Sequence, residues 1–257
     1  PLGLSPGLKG KTVVVQGLGN VGYHAAKFLQ EADCVIVGLA EYEGAIYDPK
    51  GLDIDKVIRH RKETKSILGF PGATDIPKTL GALELECDIL IPAALENQIT
   101  AENAPRIMAK IIGEGANGPV TPDAEDILRK RQILIIPDMY LNAGGVTVSY
   151  FEWLKTLQHV RLGRMGKRFT ETSLAQLIIT IERATGTRLA PKEKERLARG
   201  PSEEDLVNSG LEDTMINAYN EIREIWKKTP DIDLRTAAFI SAINKVATSY
   251  MELGVFP

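Results

Sequence analysis

The stretch KTVVVQGLGNVGYHAAKFL, residues 11–29, decides the fold of this chain. Its first half is a β-branched run, as buried strands tend to be, and its second half has apolar residues at helical spacing. Between the two halves stand three glycines in the pattern GxGxxG, Gly17, Gly19 and Gly22. A plain glycine-rich turn can have the same spacing, so the surrounding segments must decide what the loop is for.

Strand-like and helix-like segments alternate from residue 11 to about residue 140. Thr100 and Thr121 are suited to cap the short helical crossovers in the later part of this region. Residues 44–54 are predicted to form a loop, with Asp53 or Asp55 opening the next helix. The alternation predicts an α/β fold with a mostly parallel, doubly wound sheet. The strand-like runs are TVVVQG, DCVIVGLAEY, CDILIPAA, AKIIGEGANG and QILIIPDMY.

Only helical patterns follow the last strand-like run. Residues 161–203 are rich in charge and broken by glycine and proline, which predicts a helical insertion. Two amphipathic helices are predicted near 203–228 and 233–253. We therefore expect a Rossmann-like domain over 1–160, the insertion, and C-terminal helices over 204–257 that complete the domain.

The composition excludes several classes of function. Charged residues make up 25% of the chain and the formal net charge is −3, so no nucleic-acid partner is expected. The longest apolar runs are too short to span a bilayer, so no membrane partner is expected. Cys34 and Cys87 lie in apolar runs and are expected to be buried, reduced thiols, which favours a cytoplasmic location. The three histidines lack metal-ligand spacing, so no metal is expected.

The chain begins with proline and runs almost directly into a core strand. We therefore expect it to be a piece of a longer protein. Because the natural amino terminus would then be absent, a mitochondrial location stays open as the alternative.

The glycine pattern follows a predicted strand and opens a predicted helix within a β-α-β unit, and this context is typical of dinucleotide-binding loops. Gly17 permits a tight turn, Gly19 lets a diphosphate approach the backbone, and Gly22 lets the helix pack closely on the strand. Free N–H groups at the start of the helix would face the phosphates. The sequence therefore predicts dinucleotide binding at this loop.

An acidic residue is expected near the end of the second strand, where it accepts hydrogen bonds from the adenosine ribose. Glu41 lies 19 residues after Gly22 and fits this role. Glu43 is a close rival, and an exposed loop carboxylate is the simpler alternative. The neighbour of Glu41 is Tyr42 rather than a cation, so nothing nearby in sequence would pair with a 2′-phosphate. This favours NAD, with NADP as the alternative.

Three stretches of small and amide residues stand at or near the ends of later strands. They are Pro92-Ala93-Ala94, Gly115-Ala116-Asn117-Gly118 and Asn142-Ala143-Gly144-Gly145-Val146-Thr147-Val148-Ser149. With VVVQGLGNVG and SYFEW, they make the whole chain resemble the nucleotide-binding half of the glutamate dehydrogenases. These belong to the Glu/Leu/Phe/Val dehydrogenase superfamily.

The resemblance implies a modified Rossmann fold and a role for each matching residue. The groups implied to hold the pyrophosphate are Gly17, Gly19, Asn20, Val21 and Gly22, with Glu41 on the adenosine ribose. Those implied on the nicotinamide side are Ala93, Ala94, Asn117 and Asn142. Those implied to face the substrate are Val146 and Ser149.

Ser149 bears on which substrate is used. A glutamate side chain needs a hydrogen-bond donor, whereas a leucine or phenylalanine side chain would leave the hydroxyl unpaired at a cost of roughly 1–3 kcal/mol. Ser149 therefore favours glutamate, with the Leu, Phe and Val dehydrogenases as alternatives. A helix hydroxyl that bonds its own backbone is the simpler explanation of this serine.

The resemblance also implies a reaction, the reversible oxidative deamination of L-glutamate to 2-oxoglutarate and ammonia, in a homohexamer. The family's catalytic lysine and aspartate belong to a preceding substrate domain, so no catalytic residue is assigned in these 257 residues. The chain is expected to bind cofactor without turning over glutamate by itself. A non-catalytic NAD-binding regulatory module is the alternative from another class.

Two features resemble the animal-type members of the family. The segment GPSEEDLVNSGLEDTM resembles the one that follows their antenna, so 161–203 looks like a shortened antenna, which packs between subunits in that group. His24 and Lys27 match places in their nucleotide regulatory site, although His24 could equally be a plain surface residue.

Overall fold

The chain divides into two compact units, one formed by residues 1–143 with 221–257 and the other by residues 144–220. The three segments predicted from the sequence, 1–160, 161–203 and 204–257, stay a prediction. The computed structural model describes residues 2–158, 164–200 and 202–254. In those ranges, no helix combines the length and the apolar character that crossing a membrane requires.

The first unit is built on a seven-stranded sheet. Its strands are β1 Thr12–Gln16, β2 Val35–Glu41, β3 Gly44–Tyr47, β4 Thr74–Ile76, β5 Ile89–Pro92, β6 Ile111–Gly113 and β7 Leu134–Ile136. Their order is β4-β3-β2-β1-β5-β6-β7. The five neighbouring strands β2, β1, β5, β6 and β7 run parallel to one another. Their carboxyl ends therefore meet at one edge of the sheet. The strand order reverses between β1 and β5, the kind of point where open α/β sheets bind ligands.

One predicted element is wrong, since residues 44–47 form β3 instead of lying in a loop. Glu41 pairs with Gly44 across a reversal, and β4 then pairs antiparallel with β3 at the edge of the sheet. This strand is only four residues long and begins with Gly44 and Ala45. It therefore lacks the apolar alternation that marks a strand, and its conformation comes from pairing with β2.

The helices follow the sequence pattern except for the short helix Asp138–Leu141, which begins inside the strand-like run QILIIPDMY. They are α1 Asn20–Glu31, α2 Ile54–Thr64, α3 Pro122–Lys130, α4 Asp138–Leu141, α5 Ala143–Gln158, α6 Arg164–Thr185, α7 Pro191–Ala198, α8 Glu203–Lys228 and α9 Leu234–Leu253. Asp53 caps α2, where its carboxylate accepts a hydrogen bond from the Lys56 N–H at 3.0 Å. This decides between Asp53 and Asp55 as the helix opener.

The crossover predicted to start at Thr100 is shorter than expected. It contains a single 3₁₀ turn, Ala104–Arg106, with proline inside it. Asn103 accepts a hydrogen bond from the Thr100 N–H at 2.8 Å. Thr121 behaves as predicted, because its hydroxyl accepts from the N–H of the third residue of α3 at 3.4 Å.

Apolar side chains pack on both faces of the sheet. Val13 and Val15 contribute to the cluster that contains buried residues of α1 and α2, whereas Val14 contributes to the cluster with α3. A smaller cluster joins α9 to β7 through Leu234 and Ala237. The predicted mostly parallel sheet with helices on both faces is therefore confirmed.

The second unit is helical throughout its described residues. Lys194 of α7 pairs with Glu182 of α6 at 2.7 Å, and Lys155 of α5 pairs with Glu203 of α8. The predicted insertion is helical in α6 and α7, while residues 161–163 and 201 lie outside the described residues. Its likeness to an antenna stays a prediction.

Candidate dinucleotide-binding site

The glycine loop is built so tightly that two of its positions accept no side chain. Gly17 has φ +86°, and a Cβ there would lie 2.9 Å from the Ala93 carbonyl oxygen. A Cβ on Gly22 would lie 1.8 Å from the Gly17 carbonyl oxygen. The first glycine thus permits the turn and the close approach of β5, and the third lets α1 start directly against the loop.

The middle glycine, Gly19, stands in open space. A Cβ added to it would meet nothing within 4 Å among the described atoms. It is the N-cap of α1, where no side chain caps the first turn and no acidic residue lies in it. Main-chain N–H groups at such a helix start carry partial positive charge and bind anions such as phosphates. The residues present therefore fit a diphosphate at this point.

The structure separates the two carboxylates that compete for the ribose. Glu41 accepts a hydrogen bond from the Leu18 N–H at 2.6 Å, so it lies against the glycine loop. Glu43 instead accepts from the Ile67 N–H at 3.0 Å, and its other oxygen is buried without a hydrogen-bond partner in the described chain. The geometry thus favours Glu41, whose ribose role stays a prediction.

A cation that the sequence neighbours of Glu41 do not offer is supplied by the fold. The Arg61 guanidinium lies 3.1 Å from the Glu41 carboxylate and donates to the Leu18 carbonyl at 3.2 Å. Sequence reasoning missed Arg61 because it lies twenty positions away, on α2. A cavity of about 510 Å³ lies here, lined by Leu18, Gly19, Asn20, Tyr23, Ile58, Arg61, Lys62 and Lys65.

The residues predicted on the nicotinamide side meet at the ends of β5, β6 and β7. The Ala93 N–H donates to the Gln16 carbonyl at 2.8 Å, which ties β5 to the start of the glycine loop. A Cβ on Gly115 would lie 3.0 Å from the Ala93 Cβ. Asn142 donates its side-chain amide to the Asn117 side-chain oxygen at 2.6 Å. The structure therefore brings these residues together at one edge, with Ala94 exposed beside Ala93.

Behind the two asparagines lies a cluster that sequence reasoning also missed. Arg235, near the start of α9, donates to both oxygens of Glu114 at 2.8 and 2.7 Å, to Glu125 at 2.8 Å and to Asp138 at 3.0 Å. Glu114 is fully buried. Burial raises the pKa of Glu114 and of Glu125, and Arg235 opposes that rise. Only the acidic residue within GEGANG hinted at this cluster, because Arg235 lies more than a hundred residues further along the chain.

Val146 and Ser149 belong to the second unit. The Val146 side chain is exposed, and the Ser149 hydroxyl donates to the Gly145 carbonyl at 3.1 Å. This is the backbone bond that the sequence left open as the simpler explanation of the serine. The roles of both residues toward a substrate stay predictions.

The other predicted residues are placed as follows. Lys27 pairs with Asp55 at 2.5 Å, and that hydrogen bond raises the pKa of Lys27. The His24 ring stacks edge-on against Tyr23. The regulatory site proposed for His24 and Lys27 stays a prediction.

Cys34 and Cys87 are unpaired and buried, as expected. Burial raises the pKa of the Cys87 thiol to about 12, so it stays protonated at neutral pH. Among the described residues, no group of histidine, cysteine and acidic side chains could hold a metal ion.

A second cavity in the first unit lies away from the glycine loop. It measures about 780 Å³ and is lined mainly by aliphatic residues at the amino ends of β5, β6 and β7. Because open α/β sheets bind ligands at the carboxyl ends of their strands, the glycine-loop edge is the better candidate site.

The sheet order and the glycine loop define a Rossmann-like α/β protein, with a candidate ligand site at the edge between β1 and β5. A sequence model of the Glutamate/Leucine/Phenylalanine/Valine dehydrogenase family matches residues 3–173. The chain belongs to this family.

Individual relatives agree with this assignment. The chain is 49% identical over 252 residues to the mitochondrial glutamate dehydrogenase of Dictyostelium discoideum. This match covers 98% of the chain and 50% of the relative. The chain is 38% identical over 240 residues to a cryptic catabolic NAD-specific glutamate dehydrogenase of Bacillus subtilis, covering 93% and 46%. The chain thus spans about half the length of the curated relatives it matches.

A solved structure supports the fold. The hetero-hexameric glutamate dehydrogenase of Thermus thermophilus superposes with a TM-score of 0.74 at 24% identity. The match covers 99% of this chain and 50% of that one. At this identity the likeness establishes the fold alone.

Proposed function

We propose that this chain is the dinucleotide-binding part of a glutamate dehydrogenase. The observation that supports this most directly is the open backbone at Gly19, which begins α1 without a side-chain cap. The Glu41 carboxylate lies close by, because it accepts a hydrogen bond from the N–H of Leu18, the residue before Gly19. A phosphate seat next to a ribose acceptor is the arrangement that a dinucleotide requires.

In this proposal each part of the cofactor has its own residues. Asn20 and Val21 offer their main-chain N–H groups to the diphosphate, and Glu41 accepts from the ribose. Ala93 and Ala94 leave room beside the backbone, and the amides of Asn117 and Asn142 hold the carboxamide without adding charge. When bound, the nicotinamide accepts hydride from the substrate in the whole enzyme. This chain binds and orients it.

For the choice of cofactor, we propose NAD as the preferred form, with NADP also accepted. The NAD-specific relative and the Glu41 carboxylate support NAD. Arg61 supports the second part, because a guanidinium 3.1 Å from Glu41 could turn to a 2′-phosphate. Lys62 and Lys65 line the same cavity and add positive charge.

For the substrate, we propose L-glutamate and 2-oxoglutarate, with Ser149 and Val146 facing them. Ser149 would have to turn its hydroxyl from Gly145 to the substrate carboxylate. The catalytic lysine and aspartate would come from outside these 257 residues, and the full protein would be a hexamer in a compartment that keeps thiols reduced. A coenzyme domain for leucine, phenylalanine or valine is the alternative.

The test uses a residue whose substitution leaves the fold intact. Gly19→Ala introduces a methyl group that touches no described atom, so the free energy of unfolding should fall by no more than about 1 kcal/mol, which reflects the preference of an N-cap for glycine over alanine. The methyl group would occupy the diphosphate seat, and we expect NAD affinity measured by calorimetry to fall at least about tenfold, or roughly 1.4 kcal/mol.

The matched control is Gly210→Ala in α8, where the added methyl group would make ordinary contact with the Phe151 ring at 3.6 Å. This variant should bind NAD like the unchanged chain. Unaltered NAD binding by Gly19→Ala, or no binding by the unchanged chain, would refute the proposed function. Glutamate turnover by the 257-residue chain alone would refute the proposal that catalytic groups lie elsewhere.

A further inference from the structure

Arg235 is connected to both asparagines predicted on the nicotinamide side through the Asp138 side chain and the main chain of Asp138 and Gly118. Its guanidinium donates to Asp138 Oδ1 at 3.0 Å, and Asp138 Oδ2 accepts from the Gly118 N–H at 2.8 Å. Gly118 directly follows Asn117. The position of Asn117 thus depends on the Asp138 carboxylate.

The position of the second asparagine, Asn142, also depends on Asp138. The Asn142 N–H donates to the Asp138 carbonyl at 3.0 Å, and its side chain donates to Asn117 at 2.6 Å. The Asp138 N–H in turn donates to Glu114 Oε2 at 2.8 Å. Asp138 therefore joins the loop after β6 to α4 through two hydrogen bonds, and a third bond, at the end of α4, holds the Asn142 backbone.

Arg235 is the cation that three carboxylates share. Glu114 is fully buried, and the side chains of Glu125, Asp138 and Arg235 are between 15% and 21% exposed. Carboxylates in such an environment repel one another unless a cation lies between them. A guanidinium can serve several acceptors at once because its five donors lie in a fixed plane, which an ammonium cannot match.

We propose that Arg235 is a positioning residue that fixes Asn117 and Asn142 for the nicotinamide half of the cofactor. It never touches the cofactor; it acts through Asp138 and Glu114. This inference rests on the proposed function, since it assigns the two asparagines to the nicotinamide. It adds that the adenosine half, with Gly19 and Glu41, is set independently of α9.

The experiment compares NADH with ADP-ribose, which lacks the nicotinamide ring. The unchanged chain should bind NADH several-fold more tightly than ADP-ribose. Arg235→Lys keeps the charge but loses the planar fork, and we expect it to bring the two dissociation constants to within about twofold of each other. ADP-ribose affinity should stay unchanged. A general loss of structure would weaken both ligands alike.

Arg106→Lys is the matched control, because Arg106 makes a similar two-bond pair with Glu84 at 2.6 and 2.8 Å, outside this cluster. It should leave both affinities unchanged. If Arg235→Lys does not fold, Asp138→Asn tests the same connection, because it replaces one carboxylate oxygen of Asp138 by an amide nitrogen. It should also abolish the preference for NADH.

The outcomes separate the two proposals. If the unchanged chain binds neither ligand, the proposed function is refuted and this inference with it. If it binds both and the variant keeps the NADH preference, or loses both affinities equally, only the inference on Arg235 is refuted. An unchanged chain that binds the two ligands equally would refute it too, because the asparagines would then add nothing to binding.

Discussion

Two arginine–carboxylate clusters lie at the carboxyl edge of the sheet, and they are built differently. At the end of β2, Arg61 pairs with the single carboxylate of Glu41, and its side chain is 28% exposed. At the end of β6, Arg235 holds the fully buried Glu114 together with two further carboxylates. One cluster is a single ion pair, whereas the other is a network of three carboxylates around one guanidinium, with one of the carboxylates fully buried.

The difference suggests that the two clusters have different tasks. A partly exposed pair contributes little to stability and can exchange partners when a ligand arrives. A buried network is costly to disturb, since losing one member leaves uncompensated charge inside the protein. We therefore expect Arg61 and Glu41 to affect which cofactor binds, and Arg235 to affect the free energy of unfolding and the shape of the loop after β6.

The largest effect should come from removing the cation of the buried network. Arg235→Met leaves Glu114, Glu125 and Asp138 without their common partner, and we expect the free energy of unfolding to fall by about 3–5 kcal/mol. Arg61→Met should change it by less than about 1 kcal/mol. Urea unfolding monitored by circular dichroism measures both. Equal losses would mean that the clusters do not differ in the way proposed.

The next effect concerns the adenosine side. Glu41→Ala removes the proposed ribose acceptor, and we expect NAD affinity to fall by about 1.5–3 kcal/mol, with a much smaller loss for NADP. Glu43→Ala is the control, because Glu43 binds the Ile67 N–H instead of the glycine loop. Calorimetry with both cofactors provides the measurement. Equal losses for NAD and NADP would show that Glu41 is not the ribose carboxylate.

A smaller effect is expected at the cation of the same pair. Arg61→Gln should weaken NADP about fivefold to tenfold, roughly 1–1.4 kcal/mol, and NAD less than twofold. Lys56→Gln, on the same helix and paired with Asp53, should change neither affinity. The two dissociation constants of each variant are compared by fluorescence titration. Unchanged NADP binding would remove Arg61 from the cofactor site.

The smallest effect is a dependence of stability on pH that belongs to the buried network. Glu125 faces Arg235, Asp233 and Arg129, and burial raises its pKa above 4.5. A raised pKa in the folded state means that this group's contribution is present below pH 4.5 and is lost as the pH rises. Glu125→Gln should therefore gain stability relative to the unchanged chain between about pH 4.5 and pH 7.

The opposite sign is expected outside the network. Arg106 lowers the pKa of Glu84, so that group stabilises the fold above pH 4.5 and its contribution is lost on acidification. Glu84→Gln should therefore be less stable than the unchanged chain above pH 4.5, and this difference should shrink as the pH falls below 4.5. Thermal unfolding of both variants and of the unchanged chain at several pH values measures these differences in stability. Parallel curves for both variants would contradict the assignment.

The sequence predicted the parts of the fold whose signals are local. The glycine spacing, the apolar runs of the parallel strands and the caps at Asp53 and Thr121 each lie within a few residues of the element they define. β3 was missed because four residues beginning with Gly44 and Ala45 have no recognisable period, and pairing with β2 supplies their conformation.

The same limit applies to the site. Gly17, Glu41 and Asn117 could be proposed as site residues from the sequence because each stands at or near the end of a predicted strand. Arg61 and Arg235 could not, since helices bring them to carboxylates 20 and 121 positions away in the chain. Charge pairing at that range leaves no periodic trace in a single sequence.

The contact between Gly17 and β5 has a consequence for how fast a ligand can enter. With Ala93 packed against Gly17 and α1 starting directly on the Gly17 carbonyl, the loop already has its final conformation before anything binds. Little backbone freedom remains to be lost on complex formation, so the entropic penalty of ordering the loop should be small. Capture of the diphosphate should then proceed in one kinetic phase, with a rate set by diffusion and orientation rather than by rearrangement of this loop.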